Sequence, residues 1–174
     1  MKLFIASDIH GSAEHSARLM EAIKRENPDK VLLLGDLLYH GPRNNLPIKY
    51  APKEVASMLN DIKEKLICVR GNCDSEVDQM MLEFPILADY AMLYCNGITI
   101  YATHGHHSFP SLQKGDVVLS GHTHIPHDYI KDDVRYLNPG SVSIPKENSW
   151  HGYMIFENGN FIWKNLEGEL QKIN

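Results

Sequence analysis

Acidic, amide and imidazole side chains follow five short apolar runs of this 174-residue sequence, at the point where each run ends. The runs are KLFIA, KVLLL, LICV, ITIYAT and VVLS. If they are strands, their carboxyl ends meet at one sheet edge, which is where ligands bind in open α/β sheets. Oxygen and imidazole donors of this kind hold divalent metal ions, and seven of them suit two ions with one carboxylate bridging. The seven candidates are Asp8, His10, Asp36, Asn72, His104, His122 and His124.

The spacing within two triplets supports a shared centre. In DIH and HTH, the first and third residues of an extended segment would point to the same side, so both could reach one ion. We therefore predict an extended backbone for Asp8–His10 and His122–His124. Glycines beside the motifs allow tight exit turns where larger side chains would crowd an ion. These glycines are Gly35, Gly71, Gly105 and Gly121.

The elements that must position these residues change in character along the chain. In the first half, three buried strands alternate with helices over residues 12–27 and 52–65, which predicts a parallel βαβαβ unit. In the second half, hairpins are predicted at Asn96-Gly97, at Asp132-Asp133 and within 157–160. The expected fold class is α/β, with a two-layer β core and helices outside, in a single domain over residues 1–174.

Composition excludes several classes of partner. The net charge is −5, and the lysines and arginines form no run of five or more, which argues against a nucleic-acid-binding surface or an electrostatic membrane tether. The N-terminal apolar run stops at Ser7 and Asp8, short of the ~20 residues of a spanning helix, so we expect a cytoplasmic protein. Three cysteines without a CxxC motif predict neither a disulfide framework nor a thiolate zinc site. The apolar hairpins leave room for a homo-oligomer.

The motifs DIHG, GD, GNCD, THGH and GHTH, in this order, resemble those of calcineurin-like metallophosphoesterases. The short length, GDLLYHGPRN and NPGS make the chain most similar to the small YfcE-type bacterial phosphodiesterases. The resemblance implies a four-layer α/β-β/α sandwich with two mixed sheets and a dinuclear metal site. By the family pattern, Asp8, His10 and His124 hold one metal, Asn72, His104 and His122 hold the other, and Asp36 bridges them.

A charge count indicates what such a site would bind. Two divalent ions bring four positive charges, and Asp8, Asp36 and a bridging hydroxide remove three, which leaves about one for an anionic phosphate. The expected function is hydrolysis of a small-molecule phosphodiester by in-line attack of that hydroxide on phosphorus. The donor set suits Mn²⁺, Ni²⁺, Fe²⁺ or Zn²⁺, and availability favours manganese.

Cys73 departs from the family pattern, which usually has a catalytic histidine at this position. A thiol is a weak hydrogen-bond donor and would repel a phosphate once ionised. The favoured interpretation is a small, partly buried thiol with a modest catalytic role or none, and a metal thiolate and a nucleophile are the alternatives. Without general acid–base help, worth ~10²–10⁴-fold, we expect a preference for good leaving groups.

Other side chains have weaker signals. Arg43 could contact a phosphate oxygen, since arginine forms bidentate pairs with phosphate, and a solvated loop arginine is an equal alternative. His40 and His106 could assist at the leaving group, but a supporting or loop position is the favoured interpretation of each. His15, in the first turn of a helix, is expected to be exposed, and Met80 and Met81 are expected in the core.

Two further hypotheses come from other functional classes. The first is a non-catalytic interaction scaffold on the same fold, like the retromer subunit that resembles this family. Such a protein can lose ligands freely, whereas all seven are present here. The second is a structural metal protein, which would need four closed ligands and no open position.

Overall fold

Eleven strands form two mixed sheets in residues 1–107 and 111–173, the part of the chain that the computed structural model describes. The strands are β1 Lys2–Ala6, β2 Lys30–Leu33, β3 Leu66–Cys68, β4 Tyr90–Cys95, β5 Ile98–Thr103, β6 Val117–Leu119, β7 His127–Lys131, β8 Val134–Asn138, β9 Gly152–Glu157, β10 Asn160–Asn165 and β11 Leu170–Gln171. The helices are α1 Ala13–Glu26, α2 Pro52–Asn60 and α3 Glu76–Gln79, with a 3₁₀ turn at Lys63–Lys65.

The first sheet has the order β11-β10-β9-β1-β2-β3. Strands β1, β2 and β3 are parallel neighbours, with Ile5 opposite Leu32 and Leu32 opposite Ile67. Both faces of these strands are covered, which explains why their sequences are apolar without alternation. Phe4 and Leu33 face the helices, and Ile5 and Leu32 face the second sheet. The predicted βαβαβ arrangement is confirmed.

The second sheet has the order β4-β5-β6-β8-β7 and is built from hairpins around a parallel centre. Both residues of the Asn96-Gly97 turn have positive φ, 52° and 78°, as the two-residue hairpin turn requires. Both residues of the Asp132-Asp133 turn also have positive φ, 52° and 62°. A third hairpin turns at Asn158-Gly159. All three predicted hairpins are present.

Two apolar clusters separate the layers. One lies between the first sheet and helices α1 and α2, and the other lies between the two sheets. The α/β class with two mixed sheets is therefore confirmed. The edge strand β4 of the second sheet exposes Tyr90, Met92 and Tyr94. Within the described ranges, no helix is long and apolar enough to cross a bilayer.

Three local expectations are wrong. The helix predicted over residues 52–65 ends at Asn60, and a 3₁₀ turn follows. Met80 and Met81 are 85% and 46% exposed. They follow the one-turn helix α3, whose capping box at Ser75 fixes its start, and Leu82 enters the core in their place.

His15 is 2% exposed although it lies in the first turn of α1. Its ring stacks on His151 with centroids 4.1 Å apart, so the chain preceding β9 covers this part of the helix. The Ser12 hydroxyl donates to the Ile48 carbonyl and therefore accepts from His15 Nδ1 at 2.8 Å. A buried, stacked and hydrogen-bonded histidine replaces the exposed one expected.

Candidate metal centre

The loops that follow β1, β2, β5 and β6 lie against one another. The His10 N–H donates to the Asp36 carbonyl at 2.9 Å, and the Asp8 N–H donates to the Gly35 carbonyl at 3.1 Å. The Gly121 N–H donates to the His104 carbonyl at 3.0 Å. Residues 17 to 27 positions apart are thus brought to one edge, because parallel strands end on the same side.

The DIH and HTH triplets are not extended, so the predicted backbone was wrong. Asp8 and His10 have φ values of 58° and 50°, and His122 and His124 have 66° and 63°. Asp36 has a φ of 56°. Left-handed backbone costs a non-glycine residue about 1–2 kcal/mol, and such strain concentrates at functional sites. Left-handed turns therefore bring both ends of each triplet inward, without the extended geometry that we expected.

Two of the flanking glycines are needed because their backbone packs closely against a neighbouring loop, and not because the chain turns there. A methyl group built on Gly71 would overlap the Asp36 carboxylate, and one built on Gly121 would overlap the Ser7 hydroxyl. A side chain at either position would displace the backbone that carries the neighbouring carboxylate. Only glycine allows the loops to pack this closely.

Backbone carbonyls orient three of the imidazoles. The Nδ1 atoms of His10, His104 and His124 lie 2.8, 2.7 and 2.7 Å from the carbonyl oxygens of residues 39, 34 and 144. A carbonyl oxygen only accepts, so each Nδ1 carries the proton and each Nε2 of a neutral ring presents a lone pair. This is how metal-binding histidines are normally oriented.

The first group of ligand atoms is Asp8, His10 and His124. Nε2 of His10 lies 3.2 Å from Nε2 of His124, and Asp8 Oδ1 lies 3.6 and 3.3 Å from them. Asp8 Oδ1 is buried and has no hydrogen-bond partner among the described residues. An orphaned buried oxygen beside two converging lone pairs is the arrangement that a cation satisfies. A divalent metal ion fits these residues.

The second group is centred on Asp36. Its Oδ2 lies 3.3 Å from Nε2 of His104 and 3.7 Å from Nε2 of His10, so it faces both groups. The Asn72 Oδ1 lies 3.0 Å from the same His104 nitrogen. Asp8, Asp36 and His104 offer donor atoms within 4.8 Å of one another. The Asp36 carboxylate is thus shared between the two groups of donor atoms.

His122 is less closely associated. Its ring centroid lies 5.1 Å from that of His104, and its backbone N–H donates to Asp8 Oδ2 at 3.1 Å. It belongs to none of the compact donor groups found in the described part of the chain. Of the seven predicted ligands, six are in close mutual contact through their donor atoms, and His122 lies beside them.

The pKa shifts show that the carboxylates and imidazoles of this cluster interact electrostatically. Burial would raise the pKa of Asp8, but the His10 and His124 rings outweigh it and hold this pKa well below its usual range. Burial would lower the pKa of His104, but the Asp36 and Asp8 carboxylates raise it to about 9. The two carboxylates therefore stabilise a positive charge within this cluster.

Asp74 is a residue that sequence reasoning missed, although it belongs to the GNCD motif. It is 3% exposed, and its carboxylate accepts from the N–H groups of Asp36, Leu37 and Gly71 at 2.9, 2.9 and 2.7 Å. Burial raises its pKa to about 6 against those hydrogen bonds. Asp74 joins the loop that carries Asp36 to the loop that carries Asn72.

The NPGS segment has a similar role on the other side. The Ser141 hydroxyl donates to the Asp8 carbonyl at 2.8 Å and accepts from the Ile144 N–H at 2.9 Å. The Ile144 carbonyl in turn accepts from His124 Nδ1. Ser141 therefore positions two predicted ligands at once, although only tertiary contacts reveal it.

Cys73 lies close to the candidate metal ligands. Its Sγ is within 4.8 Å of donor atoms of His10 and Asp36, and its N–H donates to Asp36 Oδ1 at 2.8 Å. Burial and the Asp36 carboxylate raise the pKa of the thiol to about 12. The group is therefore a neutral thiol at physiological pH, which disfavours a thiolate nucleophile.

A cavity of about 830 Å³ opens in front of the centre. Asp36, Asn72, Cys73, His122 and His124 reach it, and so does Arg43, as a substrate-binding residue should. Arg70 and Lys146 also line it, and sequence reasoning missed both. His40 is not among the lining residues. Its ring lies edge-on to Tyr39 and Tyr50.

Several known proteins are similar to this chain in sequence and in fold. Residues 1–160 match the calcineurin-like phosphoesterase superfamily domain. The chain is 45% identical to the phosphodiesterase YfcE of Escherichia coli K12 over 162 residues, which cover 91% of this chain and 88% of that protein. A solved structure of YfcE, a phosphoesterase from E. coli, superimposes with a TM-score of 0.93 at 42% identity, over 98% of this chain and 96% of that one. A zinc complex of Vps29 from Entamoeba histolytica, at a TM-score of 0.59 and 18% identity over 98% and 96% of the two chains, shares the fold.

Proposed function

The chain belongs to the calcineurin-like phosphoesterase superfamily, and from this premise we propose that it is a metal-dependent phosphodiesterase with a dinuclear centre. One observation carries the proposal. Three imidazoles with carbonyl-bound Nδ1 atoms turn their Nε2 atoms toward two buried carboxylates, at the base of an open cavity. The substrate would be a small-molecule phosphodiester.

The proposed ligand sets follow the two groups. Asp8, His10 and His124 would hold one ion, and Asp36 would be shared with the second. Asn72, His104 and His122 would complete the second site, and the half-buried His122 ring lies 5.1 Å from the His104 ring. When bound, the two divalent ions supply Lewis-acid polarisation of the phosphate and a hydroxide for in-line attack on phosphorus.

The chain itself supplies orientation and charge. Arg43 lines the cavity and is placed to hold a phosphate oxygen. Asn72 is exposed to the cavity, and its amide donates to Cys73 Sγ at 3.2 Å. The neutral Cys73 thiol offers the leaving oxygen only a weak hydrogen bond, so turnover should depend on how well the leaving group carries negative charge.

Manganese is the proposed metal, with Ni²⁺, Fe²⁺ and Zn²⁺ as alternatives. Carboxylate, amide and imidazole donors suit all four ions. The proposed ligands include no thiolate, the soft donor that would select zinc. Metal choice would then depend on availability.

Turnover of bis(p-nitrophenyl) phosphate by the metal-free protein reloaded with each of the four ions tests the proposal. We expect activity with at least Mn²⁺, and loss of at least ~100-fold in Asp36→Asn, because this change removes the bridging charge. Asp29→Asn is the matched control, since Asp29 immediately precedes β2 and does not line the cavity. Failure of all four ions would refute the proposal.

The interaction scaffold is the alternative from a different class. The likeness to Vps29 shows the fold alone, and the scaffold reading gains nothing specific from it. An Asp36→Asn protein that kept the full biological activity of the wild type would favour the scaffold.

A further inference from the structure

Three cationic side chains from three separate segments line the same cavity. Arg43 comes from the loop after β2, Arg70 from the end of β3, and Lys146 from the loop after NPGS. The chain has a net charge of −5, so this local excess of positive charge runs against the overall composition. Clefts lined by one sign of charge concentrate ligands of the opposite sign.

The three cations are not equivalent. Arg70 Nη2 lies 3.5 Å from Glu76 Oε1, and its Nε donates to the Asp74 carbonyl at 3.2 Å, so its charge is partly offset and its position fixed. For Arg43 and Lys146, the described residues contain no ion pair or hydrogen bond to the head group. The Asp74 carboxylate also borders the cavity but is turned to three backbone N–H groups. Two positive charges therefore stay free for a ligand.

A simple phosphodiester would leave most of this positive charge uncompensated, even with Arg43 on one of its oxygens. It carries a single negative charge, which the net positive charge of about one on a loaded centre already balances. The remaining pair, Arg43 and Lys146, matches a terminal phosphate, which carries about −1.5 to −2 at neutral pH. We propose that the natural substrate is a phosphodiester with a further phosphate group, which Arg43 and Lys146 recognise together. This inference rests on the proposed phosphodiesterase function and names its substrate class.

Two p-nitrophenyl esters test the inference. One is the ester of thymidine monophosphate, and the other is the same ester with an added phosphate on the free sugar hydroxyl. Leaving group and scissile bond are identical, so their kcat/KM ratio isolates the added phosphate. We expect the manganese-loaded wild type to prefer the phosphorylated ester by roughly 10-fold at low salt, with the ratio falling as ionic strength rises.

Substitutions assign the preference to residues. Arg43→Gln and Lys146→Gln should each lower the ratio by roughly 3-fold, and the double variant should bring it close to one, because each removes one of two charges. Lys53→Gln, on the exposed side of α2, is the charge-matched control and should keep the wild-type ratio. A wild-type ratio near one with good turnover of both esters would overturn the inference while leaving the phosphodiesterase function intact.

A binding measurement distinguishes the phosphodiesterase proposal from the proposal of a second phosphate group. Calorimetry of the manganese-loaded protein with thymidine bisphosphate and thymidine monophosphate measures the same preference without turnover. If neither ester is hydrolysed, the phosphodiesterase function fails, and equal affinity for the two nucleotides would then overturn the inference as well. Tighter binding of the bisphosphate, lost in Lys146→Gln, would support it independently of catalysis.

Discussion

The Nε2 atoms of His10 and His124 face each other at 3.2 Å, although the Nδ1 of each ring is already engaged by a backbone carbonyl. Two neutral rings held in this way point lone pairs at one another, with the orphaned Asp8 oxygen beside them. The arrangement costs free energy until a cation or a proton lies between the rings. Fold stability and metal binding should therefore be coupled.

Metal removal should lower the melting temperature. An ion at 100 times its Kd stabilises by about 2.7 kcal/mol, which for a chain of this size corresponds to about 5–10 °C. We expect this difference between manganese-loaded and chelator-treated protein in thermal unfolding. His124→Gln should lose most of it, and His127→Gln, at the start of β7, should keep it. An unchanged shift in His124→Gln would contradict the assigned ligand.

Ser141→Ala should weaken metal binding without a change in any ligand. The substitution removes the acceptor of the half-buried Ile144 N–H and the hydrogen bond from Ser141 to the Asp8 carbonyl, at a cost of about 1–3 kcal/mol. The Asp8 carbonyl then keeps the longer hydrogen bond from the Ser143 hydroxyl, at 3.2 Å. Manganese affinity should fall by about 10–100-fold, the range for residues that support metal ligands. Calorimetry and urea unfolding measure the two effects.

The matched control is Ser149→Ala. The Ser149 hydroxyl donates to the Lys146 carbonyl at an exposed position, so its removal should change stability by no more than about 0.5 kcal/mol and leave manganese affinity unchanged. Equal effects of the two serine variants would show that Ser141 has no positioning role.

Cys73→His should change leaving-group dependence. The thiol pKa of about 12 keeps Cys73 a poor proton donor, whereas an imidazole supplies general acid help worth ~10²–10⁴-fold. We expect kcat/KM to rise at least 10-fold for alkyl diesters and to stay within about 3-fold for bis(p-nitrophenyl) phosphate. Cys73→Ser, with no acid at this position, is the control. Equal gains on both substrates would show that position 73 does not act on the leaving group.

His15 should make stability sensitive to mild acid. Burial, His151 and Arg18 lower its pKa to about 4 from 6.5, so between these values the unfolded chain binds more protons than the folded one. Stability should therefore fall as the pH drops through this window.

His15→Gln keeps a donor for the Ser12 hydroxyl and removes the titration. Between pH 7 and pH 5 the wild type should lose about 1–2 kcal/mol more than the variant, measured by urea unfolding in chelator so that metal release does not contribute. Identical pH profiles would contradict a neutral, buried His15.

Sequence by itself determined which candidate donors gather and at which edge of the sheets they do so. Apolar runs such as KLFIA and KVLLL are long enough to be strands and too uniform to be half-exposed, so their parallel pairing and common exit follow from local composition. The hairpin turns were equally local, because Asn-Gly and Asp-Asp tolerate the positive φ that they require.

Only the tertiary structure decided how the donors are presented. The carbonyls that orient His10 and His104 come from Tyr39 and Leu34, 29 and 70 positions away, and no local pattern encodes such pairs. The left-handed backbone of the triplets, the three hydrogen bonds of Asp74 and the presence of Arg43 and Lys146 in one cavity have the same origin. Side-chain type is a property of one residue, whereas ring orientation, strain and converging charge depend on packing between segments distant in sequence.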